Sequence, residues 1–402
     1  MDRGDQLQDW LDSRADEMAE LLEGLVAIDS ENPPGRRLGE CGALLRDAMD
    51  RLGLSPELTE LPASGDLEDP CIVRGVVGDG PQTLYYHGHF DVVPAQRRAQ
   101  FEPERRDGKI IGRGTADMKG GLVSMIYGAL AARELGLLDG GRIVFHFVCD
   151  EETGSALGAG HLRDAELIDP DALAMVTAEP TGGVVWHASR GAITLRVSLI
   201  GREAHVGQAH LGVNAFERMI HVAQPLTELA HDLLEQRTGF AMENDDARGS
   251  MLVVGGSAEA GANFNAVPGS AWFSLDRRFN PEEDLDEELD RLTSTITDAA
   301  ATADAEVSID VLQSQPAGST QTTHPAAVML GECIEEIEGA EPRFEMCPGC
   351  LETRWYAQLG IPAFAYGAGR LDVSHGPEEY IDEVAMRRCA AVYARYAGAM
   401  FE

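Results

Sequence analysis

The chain has 402 residues, of which 44% are hydrophobic and 6% aromatic, a composition typical of globular proteins. Its formal net charge of −36 argues against nucleic acid or an anionic membrane as a partner, because both require a basic surface. Lys109 and Lys119 are the only lysines. The acidity and the preference for arginine fit either a GC-rich genome or adaptation to high salt, and we favour the GC-rich genome.

Three features favour a cytoplasmic location. No apolar run approaches the roughly 20 residues that a membrane-spanning helix needs. The segment from Met1 to Asp5 is acidic, whereas a secretory signal begins with basic residues. The cysteines are odd in number and scattered, a pattern typical of reduced thiols in a cytosol rather than of a disulfide framework.

The first part of the chain predicts alternating helices and strands. Apolar residues recur at helical spacing from Leu7 to Val26 and predict one amphipathic helix, and a second long helix is predicted from Met118 to Leu138. Short apolar runs predict strands at Thr83–His87, Arg142–Cys149 and Ala172–Ala178. This alternation predicts an α/β fold with a mostly parallel sheet that is covered by helices on both faces.

After His187 the order of the predicted elements changes. A strand, a helix, two strands, a helix and a strand follow one another, which is the β-α-β-β-α-β order of a ferredoxin-like domain. The predicted ranges are Ile193–Ile200, Val213–Leu234, Met251–Gly255, Ser270–Leu275, Glu282–Thr302 and Glu306–Leu312. Helix–strand alternation then resumes, with a short strand at Ile361–Tyr366. We therefore expect one α/β domain, residues 1–189 and 314–402, interrupted by a lid domain at residues 190–313.

Acidic residues and histidines collect where the predicted strands end. Ligands of open α/β sheets bind beyond the carboxyl ends of the strands, so we expect these side chains to meet. His89 and Asp91 follow the first strand and, two positions apart, project to the same side. The other clusters are Asp117 ahead of the long helix, Asp150-Glu151-Glu152, Glu179-Pro180-Thr181 and His375-Gly376-Pro377-Glu378-Glu379.

The types of these side chains predict a metal site. Histidine and carboxylate ligands without a thiolate suit zinc, cobalt or manganese, and five ligand positions with a bridging carboxylate suit two ions. Glu151 and Glu152 are adjacent, so one can bind metal while the other transfers protons. A single acidic cluster in so acidic a chain is more often a solvated surface. The recurrence of such clusters at several strand ends favours the metal site.

Longer motifs surround these residues. In the first part they are Gly88-His89-x-Asp91-Val92-Val93-Pro94, Gly112-Arg113-Gly114-x-x-Asp117-Met118-Lys119-Gly120-Gly121, Asp150-Glu151-Glu152-x-Gly154 and Glu179-Pro180-Thr181. Later they are Gly201-x-x-Ala204-His205, Gly212-x-Asn214-Ala215, Asn265-Ala266-Val267-Pro268, Asp276-x-Arg278 and His375-x-x-x-Glu379. In these motifs and their order the chain resembles the di-zinc amidohydrolases, which include acetylornithine deacetylase, succinyl-diaminopimelate desuccinylase, aminoacylase and the glutamate-releasing carboxypeptidases. The resemblance covers nearly the whole chain.

The resemblance implies a set of metal ligands. These are His89 and Glu179 for one zinc ion, Glu152 and His375 for the other, and Asp117 as the bridge between them. Co²⁺ or Mn²⁺ are possible substitutes for zinc. Asp91 would orient His89 from behind.

The resemblance also implies the catalytic and substrate-binding residues. Glu151 would be the general base that activates the water and passes its proton to the leaving amine. His205, in the lid domain, would reach the active site of a partner subunit and stabilise the oxyanion. Asn265 and Arg278 would bind the carboxylate of the substrate. Pairing through the lid domain implies a homodimer.

We therefore expect zinc-dependent hydrolysis of an N-acyl amino acid, with a short peptide as the other possible substrate. The alternatives are a dipeptidase or carboxypeptidase with the same metal centre and a catalytically inactive metal-binding scaffold, against which the presence of Glu151 argues. Residues 349–354 replace the Gly-Gly-Thr-Asp-Ala-Arg of many relatives, although Glu352 and Arg354 keep both charges. The substrate specificity of any one relative therefore does not transfer to this chain.

Overall fold

The computed structural model describes residues 3–62, 65 and 67–402, so Met1 and Asp2 of the acidic N-terminus lie outside the described residues. The chain divides into two compact units. Unit 1 comprises the residues up to 187 together with 319–345 and 352–402, and unit 2 comprises residues 188–318 and 346–351. Each unit has its own cluster of buried apolar side chains.

Helices and strands of the described residues are numbered in chain order. The α-helices are α1 (Arg3–Asp12), α2 (Ala15–Val26), α3 (Leu38–Arg51), α4 (Gly120–Glu134), α5 (Ala159–Asp164), α6 (Ala215–Leu234), α7 (Leu285–Thr302), α8 (Pro325–Glu338), α9 (Thr353–Ala357) and α10 (Glu383–Phe401). The strands are β1 (Glu57–Glu60), β2 (Cys71–Gly78), β3 (Gln82–His89), β4 (Glu104–Arg106), β5 (Lys109–Ile111), β6 (Gly141–Val148), β7 (Ala174–Thr177), β8 (Val185–Ser189), β9 (Gly191–Ile200), β10 (Ala204–His205), β11 (Met251–Ala260), β12 (Ala266–Val267), β13 (Ser270–Phe279), β14 (Glu306–Gln315), β15 (Gly318–Ser319), β16 (Phe344–Cys347), β17 (Ala363–Ala365) and β18 (Tyr380–Asp382). Among the described helices, none combines the length and the apolar composition that a membrane span needs.

The large sheet of unit 1 contains β1, β2, β6, β3, β7, β17 and β8 in that spatial order. Its central strands β6, β3, β7 and β17 pair in parallel, whereas β1, β2 and β8 pair antiparallel with their neighbours. The predicted parallel sheet is therefore present, and β2 is a strand that the sequence analysis did not predict. His89 at the end of β3 pairs with Val148 at the end of β6, so the residues that follow both strands lie at one edge.

The helix α4 lies in the interior of unit 1, with buried residues all around it from Gly120 to Ala132. It packs closely on α10, because a Cβ added at Gly128 would lie only 2.7 Å from the backbone oxygen of Ala390. The turn Thr115–Lys119, in which Asp117 and Met118 have non-helical backbone angles, comes directly before α4. The buried ammonium of Lys119 donates to the backbone oxygens of Leu25 and Ile28 at 2.8 and 3.0 Å. The turn that carries Asp117 is thereby fixed to the end of α2.

Two predicted helices have different boundaries in the structure. The single helix predicted from Leu7 to Val26 is wrong, because α1 and α2 are separated by a turn at Ser13 and Arg14. The Ser13 hydroxyl donates to the backbone oxygen of Trp10 at 2.6 Å, a local bond that competes with the helix. The helix predicted from Met118 begins at Gly120, since Asp117 and Met118 have non-helical backbone angles.

Unit 2 contains a four-stranded antiparallel sheet in the order β11, β13, β9, β14. Along the chain its larger elements are a strand, a helix, two strands, a helix and a strand. Apolar side chains of α6 and α7, among them Val222 and Leu292, share one buried cluster with Leu195 of the sheet. The strands β10 and β12 form a separate two-stranded ribbon in which His205 pairs with Ala266.

Candidate metal centre

His89 ends β3 with its imidazole buried and both ring nitrogens in contact with oxygen atoms. Its Nδ1 lies 3.0 Å from the backbone oxygen of Asp91 and 3.3 Å from Oδ1 of the same residue. Its Nε2 faces two carboxylates, Asp117 Oδ1 at 3.3 Å and Glu179 Oε1 at 4.0 Å. Asp91 therefore orients the ring, and Nε2 is the nitrogen available to bind a metal ion.

Asp117 lies between two histidines. Its Oδ1 faces His89, and its Oδ2 lies 3.2 Å from Nε2 of His375. Nε2 of His375 is also 3.5 Å from Oε1 of Glu152. Ligand atoms of His89, Asp117 and Glu179 lie within 4.8 Å of one another, and so do ligand atoms of Asp117, Glu152 and His375. The five predicted ligand positions thus form two groups of three that share Asp117.

The charges of this cluster shift the pKa values of its members. Hydrogen bonds to Asp117 and Glu152 raise the pKa of the His375 imidazole to about 10. Burial alone would lower the pKa of His89, but hydrogen bonds to Asp117 and Asp91 together with the charges of Glu179 and Asp91 outweigh burial and raise that pKa well above its ordinary value. Burial raises the pKa of Glu179 to about 8. Positive charge is therefore favoured in the centre of the cluster.

The donor set fits a divalent metal pair. Two imidazole nitrogens and three carboxylates without a thiolate suit zinc, cobalt or manganese. In the described structure Oε1 of Glu179 is buried and has no hydrogen-bond partner. A buried carboxylate oxygen without a donor is costly, and a bound cation removes that cost.

Glu151 belongs to the turn after β6 and is partly buried. Its backbone amide donates to Oδ1 of Asp91 at 3.3 Å, and the amide of Glu152 donates to Oδ2 at 3.2 Å. Burial raises the pKa of the Glu151 carboxyl well above its usual range, and the neighbouring charge of Glu179 adds to the effect. A raised pKa makes the ionised carboxylate a stronger base than an ordinary glutamate.

His205, Asn265 and Arg278 lie in unit 2, whereas the predicted metal ligands lie in unit 1. The side chains of His205 and Asn265 are exposed, and the two residues are neighbours because Val206 donates its amide to the Asn265 backbone oxygen at 3.0 Å. Arg278 lies on β13 and donates to both oxygens of Asp276, at 2.7 and 3.1 Å. Its Nη1 also lies 3.2 Å from Sγ of Cys350. Three of its five N–H groups are engaged in these contacts.

Glu352 and Arg354, the charged residues of the segment that departs from the relatives, are fully buried. Oε2 of Glu352 lies 2.6 Å from Nε2 of His87, and Nδ1 of His87 lies 3.1 Å from the Tyr356 hydroxyl. His87 therefore has partners away from the ligand cluster, in keeping with its expected place as a strand residue.

Three residues around the ligand cluster were assigned no role from the sequence. Asn32 donates from its side-chain amide to Oδ2 of Asp91 at 3.0 Å, and Arg113 and Glu379 form a buried ion pair at 2.5 Å. Arg113 and Glu379 do lie within the motifs Gly112–Gly121 and His375-x-x-x-Glu379, and this position was the only indication in the sequence that they belong to the site. Asn32 precedes two prolines, a context typical of a loop and without any indication of a metal site.

Residues 85–399 match the peptidase family M20/M25/M40. The chain belongs to this family, which confirms the resemblance that its motifs predicted. Members of the family are metal-dependent hydrolases, and the chain is an amidohydrolase.

Two curated relatives and one solved structure illustrate the match. A succinyl-diaminopimelate desuccinylase from Methylorubrum extorquens is 28% identical over 401 residues, which cover 95% of this chain and 98% of that protein. An N-formyl-4-amino-5-aminomethyl-2-methylpyrimidine deformylase from Halalkalibacterium halodurans is 22% identical over 405 residues, 94% of this chain and 93% of that protein. An M20 family metallo-carboxypeptidase from Sulfolobus solfataricus has the same fold, with a TM-score of 0.77 at 17% identity over 96% of this chain and 99% of that one.

Proposed function

We propose that the chain hydrolyses the amide bond of an N-acyl amino acid, in the manner of acetylornithine deacetylase or succinyl-diaminopimelate desuccinylase, with two zinc ions as cofactors. The observation that carries the proposal is the position of Asp117, whose two oxygens face Nε2 of His89 and of His375 at 3.3 and 3.2 Å. A carboxylate shared by two ligand groups is what a two-metal centre requires. Glu179 would complete the first group and Glu152 the second. Co²⁺ and Mn²⁺ suit the same donors.

The catalytic role proposed for Glu151 is that of a proton shuttle. Bound metal ions supply a water of lowered pKa and positive charge for the carbonyl oxygen of the substrate. Glu151 accepts the proton that the water loses as its oxygen adds to the amide carbon. The same carboxyl returns the proton to the nitrogen as the C–N bond breaks, so that a carboxylate and an amine are released. The hydrogen bonds from the 151–152 turn to Asp91 support this role, because they fix the turn that carries the base.

For unit 2 we propose the role of a lid that binds the substrate carboxylate and joins two subunits into a homodimer. Asn265 and Arg278 would bind the carboxylate, and His205 would act in the active site of the partner subunit. Apolar side chains beside these residues support the proposal, since Phe264 is fully exposed and Val206 is 58% exposed. Val206 and Asn265 are joined by a backbone hydrogen bond, and exposed apolar side chains that adjoin one another favour a contact surface.

A dipeptidase or carboxypeptidase with the same centre is the second candidate. The observation in its favour is the fold shared with a metallo-carboxypeptidase over 96% of this chain. An N-acyl amino acid and a dipeptide present the same amide bond and the same terminal carboxylate, so one metal centre serves both reactions.

A substrate panel tests the proposed reaction. The purified chain, loaded with two zinc equivalents, is assayed for kcat/KM on N-acetylornithine, N-succinyl-diaminopimelate and simple dipeptides. We expect the highest kcat/KM on an N-acyl amino acid. Activity confined to dipeptides would favour the second candidate, and a zinc-loaded protein without turnover on any member of the panel would contradict both.

We further propose that the enzyme acts on small molecules in the cytoplasm and has neither nucleic acid nor a membrane as a partner. The net charge of −36 supports the exclusion of polyanionic partners. The cysteines support a reducing compartment, because all of them lie in the described residues and no disulfide joins any two.

A further inference from the structure

Two segments that carry predicted metal ligands are joined by one buried ion pair. Oε1 of Glu379 accepts the backbone amides of Ala116 and Asp117 at 3.0 and 3.1 Å, and its Oε2 accepts Nη1 of Arg113 at 2.5 Å. Both side chains of the pair are about 1% exposed. The carboxylate of Glu379 therefore fixes the backbone at Asp117 itself.

The same guanidinium reaches the second ligand segment. Nη2 of Arg113 donates to the backbone oxygen of His375 at 3.2 Å. In addition, the amide of Gly112 donates to the backbone oxygen of Glu379 at 2.9 Å. Arg113 and Glu379 thus hold Asp117 and His375, whose side chains face each other at 3.2 Å.

His375 depends on such support more than the other histidine of the cluster does. His89 ends a strand in the middle of the large sheet, whose backbone pairs with β6 up to His89 and with β7 up to His87. His375 lies in a loop with a φ of +61°, and its side chain is 49% exposed. Its backbone oxygen and those of Gly376 and Pro377 each accept a side-chain donor, from Arg113, Gln100 and Arg97 respectively.

We propose that Arg113 and Glu379 are positioning residues that fix the separation of Asp117 and His375 and so set the affinity for the second metal ion, the one held by Asp117, Glu152 and His375. The inference rests on the proposed metal centre. The first ion, held by His89, Asp117 and Glu179, has two of its three ligands at strand ends and keeps most of its affinity when the pair is broken. Residues that orient metal ligands from behind typically change metal affinity about 10- to 100-fold.

The experiment is a titration of the metal-free full chain with Co²⁺ alone, followed by calorimetry and by the visible absorption of bound cobalt. We expect the wild type to bind two ions. Glu379→Gln keeps the size of the side chain but removes its charge, and we expect it to bind the first ion normally and the second at least tenfold more weakly, with the cobalt spectrum of the second ion altered. The control is Glu383→Gln, which removes the carboxylate that the partly exposed Arg105 binds at 2.7 and 3.0 Å and should leave both ions unchanged.

The outcomes distinguish a failure of the proposed metal centre from a failure of the inference about Arg113 and Glu379. A wild type that binds fewer than two ions contradicts the proposed metal centre and the inference with it. Suppose that the wild type binds two ions and that Glu379→Gln either binds both as tightly or loses both equally. The inference is then overturned, whereas the proposed metal centre is not. The inference also fails if the Glu383→Gln control behaves like Glu379→Gln. If circular dichroism shows that Glu379→Gln does not fold, Arg113→Lys, which keeps the positive charge but cannot hold both partners, is judged by the same results.

Discussion

Asp91 accepts a hydrogen bond from the backbone amide of Glu151 at 3.3 Å. The residue that orients His89 therefore also positions the proposed general base. The same carboxylate lies 3.3 Å from Nδ1 of His89. Asn32 in turn fixes Asp91, donating its side-chain amide to Oδ2 at 3.0 Å. The distance between the first ligand and the base is thereby set by one buried carboxylate with partners on three segments.

The first prediction concerns the proton shuttle. We expect Glu151→Gln to lower kcat by roughly 10³-fold or more while the protein keeps both metal ions, because the amide has the size of the carboxyl but cannot accept a proton. The measurements are kcat on the best substrate and zinc content by elemental analysis. Glu20→Gln, an exposed position on α2, is the control and should be unaffected. Wild-type turnover by Glu151→Gln would remove Glu151 from this role.

The second prediction concerns metal removal. We expect dialysis against a chelator to abolish turnover and to lower the unfolding temperature, while the circular dichroism spectrum stays that of the folded chain. The ligands lie at strand ends and in loops, and the apolar core does not include them, so the fold persists. Zinc at a concentration about 1000-fold above its Kd stabilises the folded state by about 4 kcal/mol. Adding zinc back should therefore restore the higher unfolding temperature. An unchanged melting curve with and without zinc would contradict a metal site in the folded chain.

The ends of the parallel strands were predictable from the sequence, because an apolar run followed by His89 or Glu179 marks both the strand and its carboxyl end. Parallel pairing of β3, β6 and β7 then brings residues together that are far apart along the chain. The contacts of Asn32 with Asp91 and of Glu352 with His87 were not predictable. They join a loop or a late segment to the strand end across 59 and 265 residues, and no periodic pattern marks such side-chain pairs.

The third prediction concerns the proposed homodimer. If His205 acts in the active site of the partner subunit, a dimer of one Glu151→Gln subunit and one His205→Ala subunit contains one intact site. Co-expression of the two inactive variants with different tags should therefore restore about a quarter of wild-type activity, since half of the dimers are mixed and each has one working site. The measurement is turnover of the co-expressed pool and of the doubly tagged fraction.

Two results would contradict that prediction. A doubly tagged fraction that forms but stays inactive would place the action of His205 within its own subunit. A chain that is monomeric by analytical ultracentrifugation would contradict the homodimer itself. The control is co-expression of Glu151→Gln with itself under both tags, which should remain inactive at the same yield.

The last prediction concerns the pH dependence of stability and rests on His146. This side chain is fully buried, its Nδ1 lies 2.8 Å from the Tyr356 hydroxyl, and burial lowers its pKa well below 6.5. The folded chain keeps the imidazole neutral, whereas the unfolded chain binds a proton below pH 6.5. The unfolded state therefore holds more protons, and the contribution of His146 is fully present above pH 6.5 and lost as the pH falls.

In the metal-free wild type we expect His146 to contribute to the free energy of unfolding. This contribution falls by about 1.4 kcal/mol for each pH unit below the unfolded-state pKa of the imidazole. His146→Gln can still bind the Tyr356 hydroxyl but does not titrate, so its stability should fall less steeply in acid by about that amount. Urea titrations at pH values from neutrality into the acid range, followed by tryptophan fluorescence, give the two slopes. His231→Gln, an exposed histidine on α6, is the control and should keep the wild-type slope. Parallel slopes for His146→Gln and the wild type would mean that the buried imidazole takes up its proton without unfolding.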